Sequence, residues 1–390
     1  MKIYNIFLYV LLISTILSCS NNKKTICEHK TITFFENNNL KSNFEITDIF
    51  SAIEIIPLET SNDAIIGRLE RVFVHNNQFY IENKQQNSIT IFDNKGKLLL
   101  TTKDFIGRGP NEYMMYGTYT INRYNNNIMI LDYIKSDIKE YSTSGEFVRR
   151  IKIPKDLRFV TDFILTNNDQ IIFYSNEGFQ NNDYALKLFD IKKEKMIKDI
   201  VKLPSNSINA TTTINNLYIH NDTICFNYSF PSSTDTYYID NNNDIHIKYK
   251  YDFGKIDFNN DVRKANLDNR FMKNYYDKYA VIFEKYENDK YIFLTFFHKE
   301  SSYLTFYDKV NNLTRVRKNN KNPFLTSPNY VDNEYIYFIV MPEHLTHILD
   351  NELLTNEQKE YIKNINDEDN YIVVKYKLKE FKLSETETNH

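Results

Sequence analysis

Tryptophan is absent from the 390 residues, and glycine (8), proline (8) and cysteine (3) are scarce. So little Gly and Pro excludes collagen-like and Pro/Gly-linker architectures. Each glycine is therefore expected where the backbone needs one. The cysteines form no Cys-x-x-Cys pair and no Cys/His ligand spacing, so no zinc module and no cofactor is expected. Charge of one sign is also missing. Lys and Arg number 48 against 51 Asp and Glu, a net charge of −3 with no long single-sign block. A nucleic-acid binder usually carries a basic domain or stripe, so no nucleic-acid partner is expected. Beyond the N-terminus no stretch reaches about 18 apolar residues, the least a spanning helix needs.

Aromatic residues are abundant, with 30 Tyr and 28 Phe, and 42% of the chain is hydrophobic against 25% charged. Such a chain can build a sizeable core. Aromatic and β-branched side chains suit pleated, half-buried surfaces, which points to an all-β fold. Asn takes over many turn positions that Gly would otherwise fill.

Residues 1–18 read as a lipoprotein signal peptide. Lys2 supplies the positive start, and Ile3 to Leu17 is an apolar run of signal length. It ends in Ile16-Leu17-Ser18-Cys19, which resembles the bacterial lipobox, with Cys19 the residue that is lipidated. Several acyl chains on one Cys hold a protein at a bilayer stably. Residues 19–43 are then the lipidated Cys and a tether, and 44–390 the folded domain. The expected partner at this end is a membrane, and the expected location a bacterial cell envelope, lipid-anchored at the outer membrane. Cys27 and Cys225 remain; Cys225 reads as a buried small hydrophobe.

The folded part repeats. Gln78–Glu82 and Ser88–Asp93, with a turn at Asn94-Lys95-Gly96, recur as Asn127–Leu131 and Asp137–Tyr141, with a turn ending at Gly145. Further copies are Gln170–Tyr174 with Ala185–Asp190, Thr223–Asn227 with Thr236–Asp240, Tyr291–Thr295 with Tyr303–Asp308, and Tyr335–Ile339 with Tyr371–Tyr376. The aligned aromatics Phe92, Tyr141, Phe189, Tyr238, Phe306 and Tyr376 are 49, 48, 49, 68 and 70 residues apart. A period near 50 with four strands per unit predicts a six-bladed β-propeller. The long spacings predict insertions in later blades, Ile256–Glu287 and Met341–Asn370, both with helical patterning. Ala52–Leu58 is a strand without a unit, and is expected to close the ring as the outermost strand of the last blade. Pro57 suits that edge.

These residues also carry a resemblance. Ile56-Pro57-Leu58-Glu59-Thr60, Ile106-Gly107-Arg108-Gly109-Pro110-Asn111-Glu112-Tyr113, Tyr251–Lys255 and Glu368–Val374 are similar to the six-bladed β-propeller lipoproteins of Bacteroidetes, relatives of NHL-repeat propellers. The family usually has Gly where Asn111 stands. The resemblance implies architecture and compartment; no general catalytic activity comes with it.

In a four-stranded blade the one-to-two and three-to-four turns share a face, and those here are short. The two-to-three loops and blade crossings share the other, and those are long and varied, as a functional face should be. The Gly107, Gly109, Pro110 loop lies there. It is expected to be a structural brace, with Gly109 at positive φ and Glu112 accepting backbone N–H groups; a loop of that kind can also meet an anion. Candidate ligand contacts are Arg108, Glu112, Tyr113, Tyr116, Tyr133, Lys135, Arg158 and Phe179. Asp132, Asp137, Glu177, Asp183 and Glu300 are a candidate carboxylate cluster above the axis. His344 and His347 share a helical face, without the His-Glu-x-x-His pattern of a metalloprotease. No catalytic residue is assigned and no metal is expected. The leading function is a membrane-tethered binding module holding a glycan, peptide or partner protein on the elaborated face. The alternative is a propeller hydrolase or lyase with a metal in the axial channel.

Overall fold

The computed structural model describes residues 29–36, 39–40, 44–157, 160–167, 169–175, 184–203, 216–228, 233–257, 277–319 and 327–379. Six sheets follow one another in chain order as the blades of a six-bladed β-propeller. Blade one is Leu69–His75, Gln78–Asn83, Ser88–Phe92 and Leu98–Thr101. The strands that carry the sequence repeat are the second and third of each blade. The innermost strands are Leu69–His75, Tyr116–Ile121, Asp162–Asn167, Leu217–His220, Val281–Glu287 and Tyr330–Val331. Val281–Glu287 corrects the reading of 256–287 as one insertion. Its apolar run is too short to announce itself beside a long polar stretch. Residues 258–276, and the helical patterning expected of them, lie outside the described residues. The other insertion is helical as expected, with Pro342–Leu345, the 3-10 turn Thr346–Ile348, and Asn356–Lys363. The last of these starts at a Thr355/Gln358 capping box. Among the described residues no helix is long and apolar enough to cross a membrane.

The apolar side chains of the described residues fall into six clusters, each between two adjacent blades. This is how a propeller meets the rule that a sheet face must be covered. Both faces of a blade are buried, so a central strand can be buried at every position, as in Ile128–Asp132. The aligned aromatics Phe92, Tyr141, Phe189, Phe306 and Tyr376 all sit in these cores. Tyr238 does not. In blade four the register pairs Ile224 with Ile239, so Ile239 is the buried equivalent and Tyr238 turns to the other face, stacking on His246.

The ring closes as the sequence predicts. Phe50–Pro57 is the outermost strand of blade six, antiparallel to Ile372–Leu378, with Pro57 on the free edge. Asn370, 2% exposed, clips the junction. Its amide donates to the Glu59 and Ala64 carbonyls (both 2.9 Å) and its oxygen accepts from Ile66 N (3.1 Å) and Tyr371 N (3.0 Å). The Glu59 carboxylate in turn accepts from Leu98 N in blade one.

One boundary moves. Lys30–Thr33 lies in the span read as tether, yet it adds a fifth strand to blade four, parallel to Ile245–Asp252. Ile32 and Phe34 are buried, and the Phe34 ring stacks 4.6 Å from Phe253. The physical reason is the exposed edge of Ile245–Asp252, which an alternating Thr/Ile/Thr/Phe segment covers. The described fold thus includes residues 29–36, ahead of the boundary read at 44.

Asn370→Ala removes four buried hydrogen bonds at the closure and leaves backbone groups without partners. Its expected cost is about 3 kcal/mol by denaturant melting. A change below about 0.5 kcal/mol, the size of an ordinary surface substitution, would mean that strand pairing alone closes the ring.

Candidate binding site on the propeller axis

The Gly107–Tyr113 loop crosses from blade one to blade two, and its polar groups are spent on itself and its support. The Glu112 carboxylate accepts from Gly109 N at 2.7 Å. Lys135 Nζ donates to the carbonyls of Gly109 (2.7 Å) and Glu112 (2.6 Å), and more weakly to Gly107 (3.4 Å). Tyr141 donates to the Asn111 carbonyl, and Asp132 accepts from Met114 N and Met115 N. Pro110 stands exposed at the tip. The brace is therefore as read, but its glycine is a different one. Gly109 has no positive φ; the demand falls on Gly107, where a Cβ would lie 1.9 Å from the Glu112 carboxylate. Closeness to a side chain, rather than backbone strain, fixes this glycine.

Several candidate contacts change role with this geometry. Tyr113 is fully buried, its hydroxyl held by Thr102 and the Asn87 carbonyl, so it offers no stacking surface. Lys135 and Glu112 hold the loop. Arg108 alone of that set points outward, exposed. Asp132 and Asp137 lie beneath the loop around Lys139, which is fully buried and ion-paired to both, instead of above the axis. Glu300 sits in a tight turn at positive φ. His344 and His347 have ring centroids 6.1 Å apart. Arg158, Phe179, Glu177, Asp183, Cys19 and Cys27 lie outside the described residues. Cys225 is a buried free thiol whose pKa burial raises to about 11, which makes it inert.

Tyr116 and Tyr133 border the same space near the axis, where two cavities lie among the described residues. The larger, of about 930 Å³, lies at the elaborated-face end. It is bordered by the rim residues Lys84 and Asn87, the rings of Tyr116, Tyr133 and Phe283, and the acids Glu70, Glu82, Asp162 and Glu284. The Tyr133 ring reaches it because Gly117 has no Cβ, which would stand 2.7 Å from the ring, and its hydroxyl donates to the Val160 carbonyl. The smaller cavity, of about 380 Å³, lies toward the short-turn face and is bordered by apolar residues such as Ile121, Leu165 and Ile219 together with Arg123, Lys285 and Glu287.

Arg71 borders both cavities. Its Nη2 donates to both carboxylate oxygens of Asp162 at 3.0 Å, and its Nη1 to Thr118 at 3.3 Å. Arg71 and Asp162 are 8% and 2% exposed. Burial alone would lower the Arg71 pKa, but Asp162 raises it above its usual value. The pair ties the inner strands of blades one, two and three together, and stands between the two cavities. Below it, Glu287 gathers Lys248 (2.8 Å), Lys309 (2.6 Å), Tyr218 (3.0 Å) and Tyr249 (2.8 Å) into a brace between blades four and five. Burial would raise the Glu287 carboxyl, yet the two lysines hold it below the usual carboxylate value.

β-Bulges aim the upper lining. Pairing registers shift between Leu69 and Val72, where Glu70 and Arg71 lie, between Ile130 and Asp132 opposite Gly117-Thr118, and between Ile282 and Glu284. Each puts an extra residue of an innermost strand at the cavity. Sequence reasoning missed Glu70, Arg71, Glu82, Asp162 and Glu284. The signal available was a charged residue interrupting an otherwise apolar strand, as in Val281-Ile282-Phe283-Glu284. Among the described residues no three His, Cys, Asp or Glu side chains converge as metal ligands.

A family model described as a domain of unknown function, DUF4934, matches residues 29–377. No curated protein matches the sequence. Among solved structures, a candidate exported protein of Bacteroides fragilis is similar at 15% identity and a TM-score of 0.68, over 90% of this chain and 100% of that one. A DUF4221 family member from Bacteroides vulgatus is similar at 12% identity and a TM-score of 0.50, over 84% and 98%. Virginiamycin B lyase from Staphylococcus aureus follows at 11% identity and a TM-score of 0.40, over 84% and 99%. Likeness at these identities extends to the fold alone.

The loop geometry generates a thermodynamic test. Glu112→Ala and Gly107→Ala should each cost about 1 kcal/mol, because the second expels the carboxylate that the first deletes. Combining them should cost little more than either alone. Arg108→Ala should stay within about 0.5 kcal/mol of the parent. Additive losses in denaturant melts would show that the Glu112–Gly109 contact is not what Gly107 serves.

Proposed function

The chain belongs to the DUF4934 family, a domain of unknown function, and from that premise we propose that it is an envelope binding protein whose ligand is a glycan held in the upper axial cavity. One observation carries this reading. The cavity of about 930 Å³ on the elaborated face combines aromatic rings with carboxylates, amides and hydroxyls. Tyr116, Tyr133 and Phe283 supply apolar faces for a sugar ring. Glu70, Glu82, Lys84, Thr118, Thr161, Asn216 and Asn329 border the same space with groups that donate to or accept from hydroxyls. A partner protein would need a broad exposed patch, whereas these groups converge inward. Arg108 stands at the outer surface of that face and belongs to the rim of a longer ligand.

The compartment is part of the proposal. Lys2, the apolar run to Leu17 and Ser18-Cys19 support a lipid anchor at Cys19, and a structural relative described as a candidate exported protein agrees with passage out of the cytoplasm. A lipoprotein of the NHL-like propeller type, held at the outer membrane and presenting the cavity to saccharides, is the combined reading.

Two measurements test it. Calorimetric titration with soluble oligosaccharides should detect binding that weakens about tenfold or more, the worth of a charged hydrogen bond, in the Glu70→Ala/Lys84→Ala variant. Both are exposed rim residues, and a thermal melt checks that taking Lys84 from buried Glu82 leaves the fold intact; equal affinity for parent and variant would remove the cavity from the account. Cys19→Ser should abolish acyl labelling and shift the protein from the membrane to the soluble fraction. A variant that stays wholly with the membranes would overturn the anchor.

A further inference from the structure

Glu284 is 1% exposed, and among the described residues its Oε2 has no hydrogen-bond partner. It borders the upper cavity beside Phe283. Native proteins rarely leave a buried carboxylate oxygen unpaired, because the desolvation is not recovered. The other buried acids of this cavity are answered. Asp162 is bonded twice by Arg71, and Glu82 has Lys84 at 3.5 Å. Rim Glu70 has Arg68 at 3.4 Å. Among the described residues, Glu284 alone of these carboxylates faces the space without a cation.

We propose that the ligand presents a protonated primary amine to Glu284, so that the cavity selects an amino-bearing saccharide over its neutral counterpart. This rests on the reading of the upper cavity as the binding site. Three observations converge on a cation. The acids Glu70, Glu82, Asp162 and Glu284 outnumber the bases Arg71 and Lys84 around the cavity. The rings of Tyr116, Tyr133 and Phe283 offer negative faces to an ammonium, and the Lys84 ammonium already lies 5.7 Å from the Tyr116 ring centre. The register shift at Ile282/Glu284 turns Phe283 and Glu284 toward the same space. Burial pushes the Glu284 carboxyl up to about 8, against a smaller opposing effect of the Tyr286 hydroxyl. The empty site therefore keeps its proton at neutral pH. An arriving ammonium expels that proton to solvent and leaves an ammonium–carboxylate pair, so charge is conserved within the cavity. The titratable groups around Glu284 are Tyr286 on its own strand and Arg71, Asp162, Glu82, Lys84, Glu70, Tyr116 and Tyr133 around the cavity.

The test compares D-glucosamine with D-glucose, and n-butylammonium with n-butanol, by calorimetry at pH 6.5 on the parent and on Glu284→Gln. The substitution keeps the shape and removes the ability to ionise, so the fold should survive, which a thermal melt checks. The expected result is tighter binding of each amine than of its neutral partner by about tenfold or more, the worth of a charge-assisted hydrogen bond. That preference should vanish in Glu284→Gln. Glucose and glucosamine binding equally, with no effect of Glu284→Gln, would overturn the amine site while leaving the saccharide reading intact. Butylammonium binding through Glu284 with neither sugar bound would uphold the amine site and remove the saccharide. No amine binding above that of the neutral partners overturns the inference.

Discussion

Everything else in this molecule depends on the pairing of Phe50–Pro57 with Ile372–Leu378. A ring has no first or last blade, so the cores between blades cannot all form until the two ends of the chain meet. The cluster between blades five and six takes in Phe50 and Ile53 together with Tyr376, and the cluster between blades six and one takes in Leu58 and Val373. Joining residues more than 300 apart carries a loop-closure entropy that local contacts do not. A strand ladder supplies most of the compensation, and Asn370 fixes the register by bonding both sides of the junction. Two of the four stretches that carry the resemblance, Ile56–Thr60 and Glu368–Val374, are these closing segments.

Closure creates an axis, and the axis creates the chemical problem that the inner strands solve. The described innermost strands turn charged and polar side chains toward one narrow space, where desolvation is severe. Arg71 and Asp162 answer one another through a fork of hydrogen bonds and bind three inner strands at once. Glu287 answers Lys248 and Lys309 near the opposite end. Such pairs are weak evidence of net stability, since replacing both partners by well-packed apolar residues is often neutral. Their value here is positional. They hold the inner strands in register and stand between the upper cavity and the lower one.

The architecture was legible because blade strands bury both faces and repeat. Phe92, Tyr141, Phe189, Phe306 and Tyr376 mark the third strands by period alone, and Gly96 and Gly145, both at positive φ, mark the three-to-four turns. The orphan strand at Ile53 and the proline beside it pointed to closure. What escaped was whatever depends on one residue more or less. The slip that makes Ile239 rather than Tyr238 the core residue of blade four is a one-residue register choice. The bulges that aim Arg71 and Glu284 are single insertions, invisible to a period-two pattern. The Arg71–Asp162 pair joins residues 91 apart, and only the tertiary ring brings them together. The conspicuous Gly-Arg-Gly-Pro loop drew attention as a candidate site. Conspicuous sequence there reflects a demanding turn, in which Glu112, Lys135 and Asp132 consume the available hydrogen bonds.

The contrast between Glu112 and Glu284 shows how buried or half-buried acids can be sorted by what they leave unsatisfied. Glu112 accepts from Gly109 N and has Lys135 anchored on its own carbonyl, so its geometry is complete without a ligand. Glu284 is more deeply buried, lies on a rigid strand, and leaves an oxygen unanswered at the edge of the larger cavity. A purely structural role would favour an apolar residue at that position, since Ile282 on the same strand packs in the core between blades four and five. An acid there raises the free energy of the empty protein through desolvation, and binding a cation recovers it. The same cost that argues against Glu284 as a stabilising residue is what makes it a selective one: a neutral ligand leaves the oxygen as it was, and a cationic ligand does not.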